Sequence, residues 1–409
     1  MDPSGSANLS MRQSKPPLKK RPAKLFHKKS RTGCQRCRAR RVKCDEVKPI
    51  CSNCTRLELD CVYDRAKSPG SEASGGSSRP FLADDKIVDP PESEARRKLE
   101  HRLFYQYMTD TGPSTSMDDI AYGFWVTSLC KRALTSDSIL YAMFMVVCLH
   151  NEHRSNYTDQ EAAETCRTYL NMALREHHKD IENMSLENVD SICLVSSMLR
   201  LYGFVKIQQR ILEPYVPPIN WLRISGSSTA VFRKAWDLIK NKPDSVAFKM
   251  IGAVSDFLDD NKNAELRRDL THLMRREEPH ELEESWDPEI EAAYGGAVSF
   301  IGGIWKSMNR REPAATVGRR VVIFPMMIQK RFVDLVEEQR PRALVILANY
   351  FALMAMLRSF WWIGDSGPRE LQAIIEVVPE EWQGCLRWPK QVLEEQVVFT
   401  DDSPGPDWN

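Results

Sequence analysis

From about residue 95 onward, apolar positions recur every three to four residues, the spacing that gathers them on one face of a helix. Ala162, Cys166, Tyr169, Leu170 and Ala173 fall at i, i+4, i+7, i+8 and i+11, behind a capping-box start at Thr158 and Glu161. Val189, Ile192, Cys193, Ser196 and Leu199 repeat the pattern in the next segment. The same spacing predicts helices over 117–133, 137–150, 228–240, 286–307, 324–339 and 342–363. Few stretches alternate in the manner of a strand, so residues 95–395 are expected to form a large all-α domain of stacked helical hairpins. Ala343 to Leu357 is apolar nearly all round but contains Asn349 and stops at Arg358, short of the roughly eighteen to twenty residues that cross a membrane. A buried central helix and no membrane association are expected there.

Before residue 95 the helical spacing disappears. Ser68 to Pro80 (SPGSEASGGSSRP) has the composition of a flexible linker, placed over 65–94. No sustained heptad pattern occurs between residues 65 and 115, so dimerisation through a coiled coil is not expected. Charge divides the chain in a way its formal +1 conceals: residues 1–67 hold eighteen Lys and Arg against six Asp and Glu, a net of +12, and the remainder thirty-nine against fifty, a net of −11. Residues 1–30 form a basic arm that includes Lys19, Lys20, Arg21, Lys24, Lys28 and Lys29, broken by Pro16, Pro17 and Pro22. Such a run suits nuclear import, DNA phosphates, or both.

Six cysteines interrupt this basic half. Cys34, Cys37 and Cys44 return seventeen residues later as Cys51, Cys54 and Cys61, so C-x2-C-x6-C occurs twice. Thiolate is a preferred zinc ligand, and a structural zinc takes four in a tetrahedron. Six sulfurs can complete two tetrahedra only if two of them bridge both ions. The repeat restricts the bridging pair to equivalent positions: Cys34 with Cys51, Cys37 with Cys54, or Cys44 with Cys61. A disulfide framework is disfavoured by an odd total of eleven cysteines and an N-terminus without an apolar signal core. A ribbon-type site would leave Cys44 and Cys61 unused. The first half, CQRCRARRVKC, carries Arg36, Arg38, Arg40, Arg41 and Lys43 without an acid, whereas its copy, CSNCTRLELDC, sets Arg56 against Glu58 and Asp60. Only the first half suits the phosphate-lined surface of duplex DNA.

These residues, with Pro49 in the intervening loop, resemble the fungal zinc binuclear cluster (Zn2Cys6) transcription factors over residues 31–64. The resemblance implies two Zn2+ per chain, Cys34 and Cys51 as the bridging ligands, and a short helix after the second cysteine that reads a CGG-type triplet in the major groove. By position it makes Arg40 and Arg41 the base-reading candidates, with Arg38 and Lys43 on phosphates. Family members usually have lysine where Arg41 stands, and arginine there could make a bidentate contact to guanine O6 and N7, so the family's contact geometry need not be copied. Double-stranded DNA, coactivators or corepressors, and a nuclear location follow as expectations.

A second resemblance covers Phe332, Leu335, the run from Pro341, Trp361, Trp362, Trp382 and Trp388-Pro389, which look like the closing segment of the helical domain in sterol-uptake-regulator-like factors. It implies either a pathway-specific regulator of fungal metabolism, such as a secondary-metabolite gene cluster, or a sterol- or lipid-responsive one with a hydrophobic small-molecule effector. The reading from another class is a helical ligand-binding or enzymatic protein with an accessory zinc module. No catalytic constellation supports it: His150, Glu152 and His153 match neither zinc-peptidase order and are expected to end a helix in solvent. Cys130, Cys148, Cys166, Cys193 and Cys385 lie on apolar faces and are expected to pack. The acidic tail, 396–409, belongs to a stretch mixing Glu395, Asp401, Asp402 and Asp407 with Val397, Phe399 and Trp408, a composition shared by activation segments, although a frayed terminus is the plainer expectation.

Overall fold

The computed structural model describes residues 34, 36–37, 40, 42–47, 50–57, 59, 61, 90–276 and 284–400. Two compact units divide at residues 78 and 79. Among the described residues there is no strand. The first unit contains one short helix, α1 (Ser52–Thr55). The second contains α2 (Glu94–Gln106), α3 (Asp119–Tyr122), α4 (Asp137–Arg154), α5 (Gln160–Glu182), α6 (Val189–Ile207), α7 (Ile219–Ile239), α8 (Val246–Gly252), α9 (Pro288–Asn309), α10 (Ala314–Met327), α11 (Lys330–Glu337), α12 (Pro341–Ala355), α13 (Ser366–Val377) and α14 (Arg387–Glu395). No helix among them is long and apolar enough to cross a membrane. The expected linker (apart from its last residues, 90–94), the basic arm and residues 401–409 of the tail lie outside the described residues.

The central helix is α12, in which every residue from Arg342 to Ala355 is buried. Its one amide side chain is satisfied locally, Asn349 Nδ2 donating to the Val345 carbonyl at 2.9 Å. Arg342 is 1% exposed and holds the start of the helix in place. Its guanidinium donates to Glu284 at 2.7 Å and to the carbonyls of Leu273 and Arg275 at 2.7 and 2.9 Å, between the rings of Trp286 and Trp382. A buried cation is tolerated when its charge is paired and most of its donors are met in this way.

Several boundaries differ from the periodic pattern, each for a local reason. The cap of α5 is Asp159, not Thr158: the Thr158 hydroxyl donates to Ser155, and the Asp159 carboxylate accepts from the Ala162 amide at 2.9 Å. The helix expected over 324–339 is two, with Ile328 and Gln329 extended between α10 and α11. Pro325, in the last turn of α10, cannot donate to the Val321 carbonyl, and the Tyr350 hydroxyl donates to it instead at 3.1 Å. The segment expected as one helix to residue 363 ends at Ala355. There the chain turns so that Trp362 and Ile363 become buried, and Gly364, at φ +49°, lies so close to Gln208 that a Cβ would meet its amide oxygen at 2.3 Å. Gly302 in α9 has a similar role, since a Cβ would fall 1.9 Å from the Leu266 carbonyl.

The expected solvent-exposed end at His150, Glu152 and His153 is also corrected, because α4 continues to Arg154 and His150 and Glu152 are buried. His150 stacks on Trp361 at 4.5 Å and is hydrogen-bonded to Thr111, and Glu152 pairs with Lys206 at 2.8 Å. Cys148, Cys166 and Cys193 are buried, and burial pushes Cys148 and Cys193 up to about 12, which leaves them protonated and unreactive. Phe399, inside the expected tail, is 4% exposed, and its amide donates to the Met356 carbonyl at 2.8 Å, so the described start of the tail belongs to this core.

Burial also lowers His150 and His177 to about 4, with Arg154 and His153 adding to the effect at His150 against the opposing charge of Asp110, and His178 adding to it at His177. Both groups therefore gain a proton on unfolding below their ordinary value of about 6.5. Their contribution is complete above about pH 6.5 and is lost as pH falls toward 4, by up to about 3 kcal/mol each. Glu370, pushed up to about 7 by burial against the lowering influence of Arg210, acts in the opposite sense. Urea midpoints at pH 7 and pH 5 are expected to show a smaller loss on acidification in a His150→Gln/His177→Gln variant than in the wild type.

Candidate metal centre and DNA-facing residues

Among the described residues of the first unit the centre is mostly sulfur, with Leu59 packed against it. Cys34, Cys37, Cys44, Cys51 and Cys54 are between 0% and 5% exposed, and Cys61 is half-buried, whereas Val42, Val47, Ile50 and Leu57 face solvent. The Sγ atoms of Cys34, Cys37, Cys51 and Cys54 all lie within 4.8 Å of one another. Cys34 is 3.7 Å from Cys51 and 3.6 Å from Cys54, and Cys37 is 3.6 Å from Cys51. A tetrahedron with metal–sulfur bonds of about 2.3 Å has edges of about 3.8 Å, so these separations fit thiolates around a zinc-sized ion.

The two halves are related by more than sequence. The Cys34 amide donates to Cys44 Sγ at 3.4 Å, and the equivalent Cys51 amide donates to Cys61 Sγ at 3.2 Å. At Cys34 and Cys51 burial disfavours the thiolate, but the amides of Cys37 and Cys54 and neighbouring thiols more than offset it, and both thiols are lowered. Burial and neighbouring thiols raise Cys37 to about 12, and they raise Cys54 as well. The two equivalent positions that share an edge of sulfurs are thus the ones whose thiolates the backbone favours.

Two residues other than the cysteines hold the halves together. Asp45 accepts from the Ser52 amide through both carboxylate oxygens, at 3.1 and 3.2 Å, and so caps α1 from the other half. Asn53 Nδ2 donates back to the Lys43 carbonyl at 2.7 Å. The pattern of cysteines did not single them out. The available signal was a break in the repeat, where Asp45 corresponds to Val62 and Asn53 to Arg36.

On the basic side Arg36 and Cys37 are helical, and the Arg40 amide donates to the Arg36 carbonyl at 3.1 Å, closing one turn. Arg36, Arg40 and Lys43 are exposed, with their charges free to meet an anionic surface. Arg38 and Arg41 lie outside the described residues, as do Pro49 and the import candidates Lys19, Lys20, Arg21, Lys24, Lys28 and Lys29.

Comparison with known proteins agrees with this geometry. The domain family described as Fungal Zn(2)-Cys(6) binuclear cluster domain matches residues 32–69. The "Zn(2)-C6 fungal-type transcription factor afumD" of Aspergillus fumigatus is 31% identical over 351 residues, 84% of this chain and 90% of that protein. A "Zn(2)-C6 fungal-type transcription factor" of Gibberella zeae is 24% identical over 91% of this chain and 87% of its own length. "Sterol uptake control protein 2" of Candida albicans is 48% identical over 64 residues, 15% of this chain and 9% of that protein. No solved structure matches the chain significantly.

Because Asp45 braces one half against the other, Asp45→Ala is expected to speed zinc release to a colorimetric chelator several-fold, with Asp45→Asn intermediate. Unchanged release kinetics would show that the cap does not hold the centre.

Proposed function

This chain belongs to the fungal Zn(2)-C6 transcription factors, and from that premise we propose that it reads CGG-type sites through a centre of two Zn2+ held by Cys34, Cys37, Cys44, Cys51, Cys54 and Cys61. It is a DNA-binding transcription factor with a zinc cluster, not an enzyme. Cys34 and Cys51 bridge the two ions. The observation that carries the bridging reading is the pair of cross-half contacts, Cys34 to Cys54 and Cys37 to Cys51, which share the Cys34–Cys51 edge. Bound zinc supplies crosslinks to a unit whose described residues bury little besides cysteine sulfur.

Six thiolates and two Zn2+ carry a net −2, so the residues around them decide whether the unit attracts DNA. The basic half supplies the attraction. Arg40 and Arg41 read bases from the turn that follows Cys37, Arg38 and Lys43 hold phosphates, and the second half completes the cage. The basic arm, 1–30, adds nuclear import through Lys19, Lys20, Arg21, Lys24, Lys28 and Lys29, and the linker, 65–94, tethers this reader to the helical domain, 95–395, and its tail, 396–409. The helical domain acts as the regulatory half, communicating with coactivators or corepressors at genes of fungal metabolism.

Elemental analysis of the purified chain is expected to find two zinc ions per molecule; one ion would refute the edge-sharing centre. Arg41→Ala is expected to weaken binding to a CGG-containing duplex by about 1 to 3 kcal/mol while binding to a scrambled duplex changes less. An equal loss on both duplexes, measured by fluorescence anisotropy at fixed salt, would make Arg41 a phosphate contact.

A further inference from the structure

Within the helical unit a cavity of about 140 Å³ is lined by side chains of α6, α8 and α10 and by residues around α3. Its walls are apolar and aromatic, with Phe124, Trp125, Phe204, Met250, Ile323 and Trp362 among them, and no Asp or Glu contributes. Two cations do. Arg319 is already matched, donating to Asp118 at 2.6 Å. Arg200 faces no carboxylate among the described residues: its guanidinium contacts the Met326 thioether, the Ser197 hydroxyl at 3.2 Å and the face of Phe232 at 5.4 Å, and its Nε, like that of Arg319, is buried without a hydrogen-bond acceptor.

Five other arginines of this unit are matched by an acid. Arg132, Arg210, Arg319, Arg320 and Arg342 each face an Asp or Glu. Among the described residues Arg200 has no such partner, although burial is strong enough to pull it down to about 10. At neutral pH it remains a cation. A half-buried guanidinium whose acceptors are a thioether, a hydroxyl and a ring is under-satisfied, because its planar fork is matched by a carboxylate.

We propose that this cavity is a binding site for a small apolar monocarboxylic acid, about the size of benzoate, whose carboxylate is taken by Arg200 and whose ring lies among Trp125, Phe204 and Trp362. Size agrees: a dry cavity of about 150 Å³ accepts benzene. The walls reject sugars and other polyols, and only one cation is free, which disfavours dicarboxylates. Binding itself does not depend on the DNA-reading assignment. Its consequence, a metabolite acid altering the regulatory half of the factor, rests on that assignment.

The intrinsic tryptophan fluorescence of the full chain reports directly, since Trp125 and Trp362 line the cavity. Titration with sodium benzoate is expected to give a saturable change, with benzamide, of the same shape and no charge, binding at least about tenfold more weakly, the order expected for losing one charge-assisted fork. Arg200→Gln is expected to abolish the preference for the acid and Arg200→Lys to keep part of it. Should Arg200→Gln fail to fold by circular dichroism, Ala121→Leu, which fills the cavity without touching the arginine, is expected to abolish benzoate binding. Equal affinity for acid and amide, undiminished benzoate binding in folded Arg200→Gln or in Ala121→Leu, or no saturable change up to about 10 mM benzoate would overturn the proposal. Duplex binding measured on the same samples separates this outcome from the DNA-reading assignment, since either can fail while the other stands.

Discussion

Six sulfurs crowded together where, among the described residues, little else apolar is buried are the constraint on which the first unit depends. An ordinary domain condenses because apolar side chains leave water, but here Val42, Val47, Ile50 and Leu57 remain at the surface and the cysteines take the centre. Sulfur separations of 3.6 and 3.7 Å are those of ligands about a shared small cation. Thiolates at that distance would otherwise repel or retain their protons, so metal binding and folding are one process. The caps by Asp45 and Asn53 then fix how the two halves meet, and the single turn at Arg36 to Arg40 gains a rigid base from which to present its charges.

The helical unit works on the opposite principle. Its stability comes from apolar burial around α12, and several of its buried polar groups are matched by specific partners. Arg342 with Glu284, Asn349 with the Val345 carbonyl, and Tyr350 with the carbonyl that Pro325 leaves free are three of these matches. Arg200, at the apolar cavity, has no carboxylate partner among the described residues. Cysteine shows the contrast between the units most directly. In one unit the sulfurs converge as ligands, whereas Cys148 and Cys193 in the other are isolated by burial, held at about 12, and serve as small apolar side chains.

Much of this was legible from spacing alone. The doubled C-x2-C-x6-C identified the centre, and the 3.6-residue period identified α4, α5, α6, α9 and the buried α12. Boundaries were less legible, because they depend on partners distant in sequence. Nothing around residue 355 indicates that the chain must turn there, since the reason is the packing of Trp361 against His150 and of Gly364 against Gln208, some 150 to 210 residues earlier. The His150 to His153 segment looked polar enough to end in water. It is buried because Lys206, Thr111 and Trp361 supply partners that no local pattern reveals.

The sequence by itself determined the chemistry of the metal centre and the one-sidedness of its charge, because ligand type, ligand spacing and local charge are properties of a contiguous segment. It also determined that the remainder is helical, since periodicity is local too. Only the tertiary structure decided which sulfurs touch across the repeat, that Asp45 and Asn53 brace the halves, and that Arg200 faces an apolar cavity without a carboxylate partner among the described residues. Those facts depend on which groups meet after the chain has folded, and satisfaction or frustration of a buried charge is a property of its neighbours in space, not of its neighbours in the chain.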